Sequence, residues 1–183
     1  YRLSDLIDKL TTIKDLKRIR YTTSHPINMD DELIDLHSNN KKLMPFLHLP
    51  VQSGSSKILK MMNRKYDAEF YRDIIFKIRD KSPNIEISSD FIIGYPGESE
   101  QDFINTLDLI DDIKFTQSYS FIYSARPGTK SAMIEDNLTK KVKSERLKIL
   151  QSKLTEIQHD FNKTHVGKKT SAVSYTHLTL PTR

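Results

Sequence analysis

Cysteine is absent from the 183-residue sequence. Without thiols, this chain alone cannot form a disulfide, a thiolate nucleophile, a cysteine-ligated zinc site or an iron–sulfur cluster. Long apolar runs are also absent, since no stretch approaches the roughly 18 residues of a membrane-spanning helix. The first residues, Tyr1-Arg2-Leu3, include no initiator Met, basic n-region or apolar h-region, so we expect a fragment without a visible signal peptide.

Apolar residues are nevertheless sufficient for a core. Hydrophobic residues make up 37% of the chain, including eight Phe and eight Tyr. The length corresponds to about one domain and permits a sizeable buried core. We therefore do not expect intrinsic disorder across most of the chain.

Charge is distributed unevenly along the chain, whose formal net charge is +5. Residues 138–170 contain nine Lys or Arg and three Asp or Glu, whereas residues 86–112 contain eight acidic residues and no basic one. A basic C-terminal segment can contact phosphates, although such runs more often form the solvated face of a helix. The composition leaves both interpretations open.

Short apolar segments alternate with helical periodicity. The strand-like segments are residues 18–23, 46–51, 85–93 and 118–124. The helical patterns lie at residues 3–10, 28–36 with Asn28 as the cap, 57–62, 67–79, 99–110 and about 139–161. This alternation predicts βα units around a parallel sheet, and four units are too few to close an eight-stranded barrel. The sequence predicts either a small open α/β sheet or the later part of a barrel. The start of the chain, which lacks an initiator Met, favours the barrel.

Polar or glycine-containing loops follow the four predicted strands, at residues 23–26, 52–55, 94–98 and 125–129. The carboxyl ends of parallel strands form the ligand-binding face of such sheets, so we expect these loops to converge. The loop at residues 52–55 offers an amide, hydroxyls and a close backbone approach, which suit a carboxylate or ribose. Ser55 or Ser56 can equally cap the following helix, and both roles are compatible.

Three further residues are candidates by their positions. Asp90 lies within a strand, where a carboxylate is costly unless it is paired; it contacts a ligand only if it faces the interior of a barrel. Arg126 at a strand end suits a phosphate or a carboxylate, and a salt bridge explains it equally well. A lone residue such as His25 is more often a hydrogen-bonded structural histidine.

Four sequence blocks carry a resemblance to a known family. They are RIRYTTSHP at residues 18–26, FLHLPVQSGS at 46–55, SSDFIIGYPGE at 88–98 and YSFIYSARPGT at 119–129. In order and spacing, these blocks resemble the second part of the radical S-adenosylmethionine domain of the tRNA methylthiotransferases. The resemblance runs from the start of the chain to about Lys169.

The resemblance implies an α/β fold, a partial parallel (β/α) TIM-like barrel of the radical S-adenosylmethionine type whose first strands are missing. Residues 1–165 are then the later part of the barrel with its C-terminal helix, and residues 166–170 enter a truncated TRAM domain. Residues 171–183 are Ser/Thr-rich without a helical stripe, and we expect a non-native tail there. The opened barrel is expected to leave apolar surface on Ile19, Tyr21, Leu47 and Leu49.

The resemblance also implies an enzyme, a transferase that inserts sulfur and then a methyl group at C2 of N6-isopentenyladenosine beside the tRNA anticodon. Its cofactors are S-adenosylmethionine and two 4Fe–4S clusters held by cysteines. Because this chain has no cysteine, we expect it to hold no metal and to be inactive alone. The implied partner is a tRNA anticodon stem–loop carrying N6-isopentenyladenosine. The implied location is the cytoplasm, with no membrane partner. The resemblance does not identify the electron donor.

The matching blocks imply site residues. S-adenosylmethionine contacts fall on Gln52, Ser53, Ser55, Asp90 and Gly94. The cofactor or substrate cavity is lined by Ser24, His25 and Arg126. The resemblance implies no catalytic residue and no metal ligand within this fragment.

Related families and one different class remain as alternatives. The threonylcarbamoyl-adenosine methylthiotransferases share the QSGS loop but typically lack the TSHP and SARPGT forms. The ribosomal-protein aspartate methylthiotransferases typically carry His-Ala in place of Ser53-Gly54. A non-catalytic α/β module with a basic RNA-contacting helix fits the missing cysteines and the basic segment. An in-frame CxxxCxxC motif upstream would favour the enzyme.

Overall fold

Helices alternate with parallel strands in the computed structural model, which describes residues 2–22 and 25–169. The helices are α1 (Leu3–Thr11), α2 (Asp31–Asn39), α3 (Ser56–Met61), α4 (Ala68–Lys81), α5 (Glu100–Ile113) and α6 (Lys140–Lys163). The strands are β1 (Phe46–His48), β2 (Glu86–Ile93) and β3 (Gln117–Ile122), with 3₁₀ turns at Pro26–Asn28 and Lys130–Met133. The expected non-native tail, residues 171–183, lies outside the described residues.

The three strands form one parallel sheet in the order β1-β2-β3. β2 is the central strand, and its Ser88 pairs with His48 on one side and with Gln117 on the other. Each crossover passes through helices, α3 and α4 after β1 and α5 after β2. Parallel neighbours need such long connections. The predicted α/β fold class, with βα units around a parallel sheet, is confirmed.

The prediction of a first strand at residues 18–23 is wrong. The described part of this segment makes one parallel bridge at Ile19, whose N–H donates to the Lys42 carbonyl over 2.7 Å. The ladder stops because Phe46 N–H donates to the Met44 carbonyl, 2.8 Å away. The Phe46 N–H and the Met44 carbonyl thus bond to each other within one turn, so neither is free to extend the pairing with the Ile19 segment.

β1 is shorter than the predicted strand at residues 46–51. Pro50 has no N–H to donate, and Val51 N–H donates to the Ser89 hydroxyl, 2.9 Å away, rather than to a carbonyl. The regular ladder therefore ends early, although the chain continues beside β2.

Local capping chemistry fixes where several helices begin. Asp67 caps α4, and Ser99 and Asp102 form a reciprocal capping box at the start of α5. The sequence predicts the second of these caps. The prediction that Asn28 caps α2 is wrong, because Asp30 is the cap and Asn28 ends the preceding 3₁₀ turn. A carboxylate also complements the positive end of the helix dipole, which an amide does less well.

One face of the sheet is covered by helices and the other is open. On the covered face, Leu47, Ile87 and Phe91 are fully buried in a core that includes apolar residues of α4, α5 and α6. Side chains alternate along each strand, so the intervening residues lie on the opposite face. There Tyr119 is 52% exposed and Phe121 is 56% exposed.

The apolar surface left open differs from the one that the sequence predicts. Ile19, Leu47 and Leu49 are buried, and Tyr21 is half-buried. These residues face the helical layer, whereas the exposed aromatic side chains of the sheet, Tyr119 and Phe121, belong to β3. The prediction for Ile19, Leu47 and Leu49 is therefore wrong.

Helix α6 brings part of the basic segment onto the acidic one. Arg146 Nη2 lies 2.7 Å from Glu100 Oε2, and its Nη1 lies 3.4 Å from Glu98 Oε1. Lys153 also pairs with Asp111 near the end of α5. These cations are used inside the fold and are not available to an external phosphate.

A buried histidine of α2 contacts the extended segment that carries the Ile19 bridge. His37 Nε2 lies 2.6 Å from the Tyr21 hydroxyl, and burial lowers the pKa of His37 to about 4. The unfolded chain binds a proton at about pH 6.5, so it holds more protons than the fold between about pH 4 and 6.5. Stability therefore rises with pH across this interval.

We expect the chain to lose about 1–2 kcal/mol of unfolding free energy from His37 between pH 7 and pH 5. The substitution His37→Gln removes the titration and should flatten this part of the profile. Thermal unfolding followed by circular dichroism at both pH values measures the difference. Parallel pH profiles for the two proteins would contradict the assignment.

Candidate functional site

Two of the predicted cofactor residues meet where β1 and β2 end. Gln52 N–H donates to the Asp90 carbonyl, and Ile92 N–H donates to the Gln52 carbonyl, both over 2.9 Å. Gln52 adopts a positive φ of 78°, which is uncommon for a residue with a side chain. The two backbone bonds hold Gln52 in this conformation beside β2.

The predicted serines of the same loop are turned toward α5. Ser55 Oγ donates to Asp102 Oδ1 at 2.6 Å and caps α3, while Ser53 Oγ lies 3.4 Å from the Thr106 hydroxyl. A Cβ on Gly54 would lie 2.4 Å from the Asn105 carbonyl oxygen, so loop and helix are in close contact. The capping interpretation is confirmed for Ser55, and both hydroxyls anchor the loop.

The carboxylate that receives the Ser55 bond is strongly acidic. Burial raises the pKa of Asp102, but hydrogen bonds from Lys57, Ser55 and Ser99 outweigh it and hold that pKa well below its usual range. Lys57 Nζ lies 2.7 Å from Asp102 Oδ2. Asp102 therefore stays charged and ties α5 to the loop at residues 52–55.

A histidine lies beside Asp90 on the open face. His48 Nδ1 lies 2.6 Å from Ser88 Oγ, and its Nε2 lies 3.6 Å from Asp90 Oδ2. All three side chains lie on the open side of the sheet, at alternate positions of β1 and β2. The sequence analysis missed His48 and Ser88, although this period of two was the available signal.

The loop after β2 is held by a buried charge pair. Gly94 has a φ of +72° and its N–H donates to the Glu98 carboxylate. Burial raises the pKa of Glu98, and this is countered by the Gly94 bond and by the charge of Arg146. A Cβ on Gly94 would lie 2.7 Å from Cγ of Lys143. Gly94 therefore serves the packing of α6 as well as the turn.

Two of the residues predicted to line the substrate cavity, His25 and Arg126, are described by the structure and have different surroundings. His25 packs edge-on against Tyr66, with ring centroids 5.2 Å apart, and burial together with the charge of Arg64 lowers its pKa. Arg126 has an exposed side chain, and its carbonyl accepts a hydrogen bond from the Thr129 hydroxyl at 2.8 Å. Ser24 lies outside the described residues.

A cleft of about 610 Å³ opens at the carboxyl ends of β2 and β3. We call it the strand-end cleft; its principal lining residues are Lys60, Arg64, Ile92, Tyr95, Tyr123 and Lys130. Three of these are cations, and no carboxylate is among the lining residues. The sequence analysis identified the neighbours Gly94 and Arg126 but missed the cleft, since its cations come from segments far apart in the chain.

Comparison with known proteins identifies the class to which this fold and site correspond. Residues 1–110 match the Radical SAM superfamily, and the chain belongs to it. Coproporphyrinogen III oxidase (HemN) from Escherichia coli shares the fold, with a TM-score of 0.64 at 19% identity over 84% of this chain and 37% of that one. The expected fold, a partial TIM-like α/β barrel, is confirmed.

Particular relatives are much more similar in sequence. The tRNA-2-methylthio-N(6)-dimethylallyladenosine synthase of Rickettsia canadensis is 57% identical over 167 residues, 91% of this chain. The synthase of Rickettsia felis is 56% identical over the same length. The chain spans 37% and 38% of these two relatives. The chain is thus similar to one segment of these synthases.

The superfamily implies S-adenosylmethionine and iron–sulfur chemistry, and the chain fits these two groups differently. It has no cysteine for a cluster, and its described residues contain no group of three or more potential metal-ligating side chains. Its strand ends do present a carboxylate, an amide and polar backbone groups, which suit the amino-acid and ribose parts of S-adenosylmethionine. No helix within residues 2–22 and 25–169 is long and apolar enough to cross a membrane.

Replacing Gly94 by alanine should destabilise the fold more than replacing Gly128. Both glycines have positive φ values, +72° and +81°, so each substitution carries a strain of about 1 kcal/mol. Only Gly94 adds the contact with Lys143, since a Cβ on Gly128 meets nothing within 4 Å among the described residues. We expect a further loss of about 1–3 kcal/mol. Chemical denaturation of both variants tests this, and equal losses would argue against the contact.

Proposed function

We propose that this chain is the later part of the radical S-adenosylmethionine domain of a tRNA methylthiotransferase. The reaction is insertion of sulfur and then of a methyl group at C2 of N6-isopentenyladenosine beside the anticodon. The observation that carries the proposal is 57% identity to a tRNA-2-methylthio-N(6)-dimethylallyladenosine synthase over 91% of this chain. The match spans 167 of the 183 residues, so it includes the ends of β1 and β2 and most of α6.

The proposed S-adenosylmethionine contacts are those at the ends of β1 and β2. Asp90 carries a carboxylate on the open face, partly exposed, with its Oδ2 3.6 Å from His48 Nε2. Gln52 supplies an amide, Gly94 forms the turn at the end of β2, and Ser53 and Ser55 anchor the loop. When bound, S-adenosylmethionine supplies the radical chemistry and the methyl group.

The tRNA, the iron–sulfur clusters and the flanking segments complete the proposed enzyme. We place Ser24, His25 and Arg126 at the cavity for the tRNA anticodon stem–loop, and assign no catalytic residue or metal ligand to this chain. Cysteines outside this chain hold two 4Fe–4S clusters, so the chain alone is inactive. Residues 166–170 lead into a TRAM domain, residues 171–183 are not native, and the enzyme works in the cytoplasm.

The non-catalytic RNA-binding module finds less support in α6 than the basic composition of that helix suggests. Arg146 and Lys153 are paired with Glu98, Glu100 and Asp111, so these two cations are not free for RNA, whereas Lys140 and Lys148 are exposed. Ion pairs with protein carboxylates and contacts with RNA phosphates compete for the same cations.

The function is tested with a hybrid in which this chain replaces the matching 167 residues of the Rickettsia canadensis synthase. We expect the hybrid, expressed in bacteria that lack the activity, to restore 2-methylthio-N6-isopentenyladenosine in hydrolysed tRNA, and the chain alone to restore none. Mass spectrometry of tRNA nucleosides measures both. A methylthiolated threonylcarbamoyl-adenosine would favour the sister family, and the absence of both products would reject the proposal.

In the same hybrid, Asp90→Asn and Gln52→Ala should each weaken S-adenosylmethionine binding. Loss of a hydrogen bond to a charged ligand costs roughly 1.5–3 kcal/mol, or about ten- to a hundred-fold in affinity. Asp108→Asn, at an exposed carboxylate of α5, is the matched control and should have no effect. Calorimetric titration provides the affinities. Unchanged binding in both test variants removes these residues from the cofactor site.

A further inference from the structure

The strand-end cleft contains positive charge that the protein itself does not neutralise. Lys60, Arg64 and Lys130 form no ion pair within residues 2–22 and 25–169. On α6, by contrast, Arg146 and Lys153 each face carboxylates. Three like charges around one cleft repel each other, and an anion bound among them would relieve that repulsion.

Two separate backbone segments carry these cations to the cleft, the end of α3 and the 3₁₀ turn after β3. Lys60 and Arg64 flank the end of α3, where Asn63 adopts a positive φ of 59° and Arg64 N–H donates to the Leu59 carbonyl over 2.9 Å. This is a left-handed helix termination, which fixes the turn that carries Arg64. Lys130 approaches from the 3₁₀ turn beyond β3.

Aromatic rings lie beside the cations. Tyr95 and Tyr123 contact each other edge-to-face, with ring centroids 5.0 Å apart, and the Tyr95 hydroxyl donates to the Met61 carbonyl at 3.1 Å. The Tyr123 hydroxyl is shielded from solvent and has no hydrogen-bond partner among the described residues. Cations that hold phosphates, beside aromatic rings that stack on bases, are typical of proteins that bind single-stranded nucleic acid.

We propose that the strand-end cleft binds a single-stranded segment of the RNA substrate. Lys60, Arg64 and Lys130 contact its phosphates, and Tyr123 stacks on a base. The inference rests on the proposed function, which supplies an RNA whose target base must reach the carboxyl ends of the strands. It assigns the positioning of that RNA to this cleft rather than to the basic helix α6.

The test measures the salt dependence of RNA binding by the hybrid protein. Fluorescence anisotropy with an anticodon stem–loop RNA is recorded over a series of KCl concentrations. Three lost phosphate contacts should reduce the slope of log K against log salt by about 2 in the variant K60A/R64A/K130A. The matched control K140A/K148A/K168A removes the same charge from exposed lysines of α6 and the turn after it, and should leave the slope unchanged.

Substitutions of Tyr123 separate stacking from charge. Tyr123→Ala should weaken RNA binding about tenfold with an unchanged salt slope, whereas Tyr123→Phe retains the ring and should bind nearly normally. Equal losses in the two variants would contradict stacking.

S-adenosylmethionine affinity, measured in each variant, reports on folding and on the cofactor site. Normal cofactor binding with a reduced RNA slope supports the proposal. A loss of cofactor affinity in K60A/R64A/K130A equal to its loss of RNA affinity would assign the cleft to the cofactor and overturn the proposal. If the unsubstituted hybrid modifies tRNA but the triple variant keeps its slope, this inference alone fails. If the unsubstituted hybrid modifies no tRNA, the proposed function fails.

Discussion

The buried pair between Glu98 and Arg146 is the interaction on which the site depends most. Removing two charges from water costs several kcal/mol per ion unless each is paired and hydrogen-bonded. Arg146 meets Glu98 and Glu100, and Glu98 also accepts the N–H of Gly94. The pair thereby joins α6, the start of α5 and the loop after β2. Without it, the loop that carries Tyr95 into the strand-end cleft would lose its anchor.

This pairing also decides how charge is distributed over the surface. The acidic residues of the loop after β2 and of α5 are partly neutralised by α6, so the most basic segment of the chain has fewer free cations than its composition indicates. Lys60, Arg64 and Lys130, at the carboxyl ends of the strands, have no carboxylate partner among the described residues. A group of uncompensated positive charges thus lies on the side of the sheet where ligands bind in parallel α/β folds.

The central position of β2 aligns the rest of the site. Its register places Ser88 beside His48 and Asp90 beside Tyr119, all on the open face, while Phe91 and Ile93 fill the core on the other face. A shift of one residue would exchange the two faces and bury Asp90. The hydrophobic pattern of β2 therefore fixes the register that places the proposed cofactor residues on the open face.

The sequence alone determined features that depend on neighbours a few residues away. The capping box at Ser99, the strand at β2 and the alternation of strands with helices follow from local hydrogen bonding and periodicity. Tertiary structure decided that Ser53 and Ser55 turn toward α5 and that Lys60 and Arg64 share a cleft with Lys130. It also decided which cations are paired, as with Arg146 and Glu98. These features rest on contacts between residues tens of positions apart, which no local pattern specifies, because burial and charge pairing are set only when the helices pack.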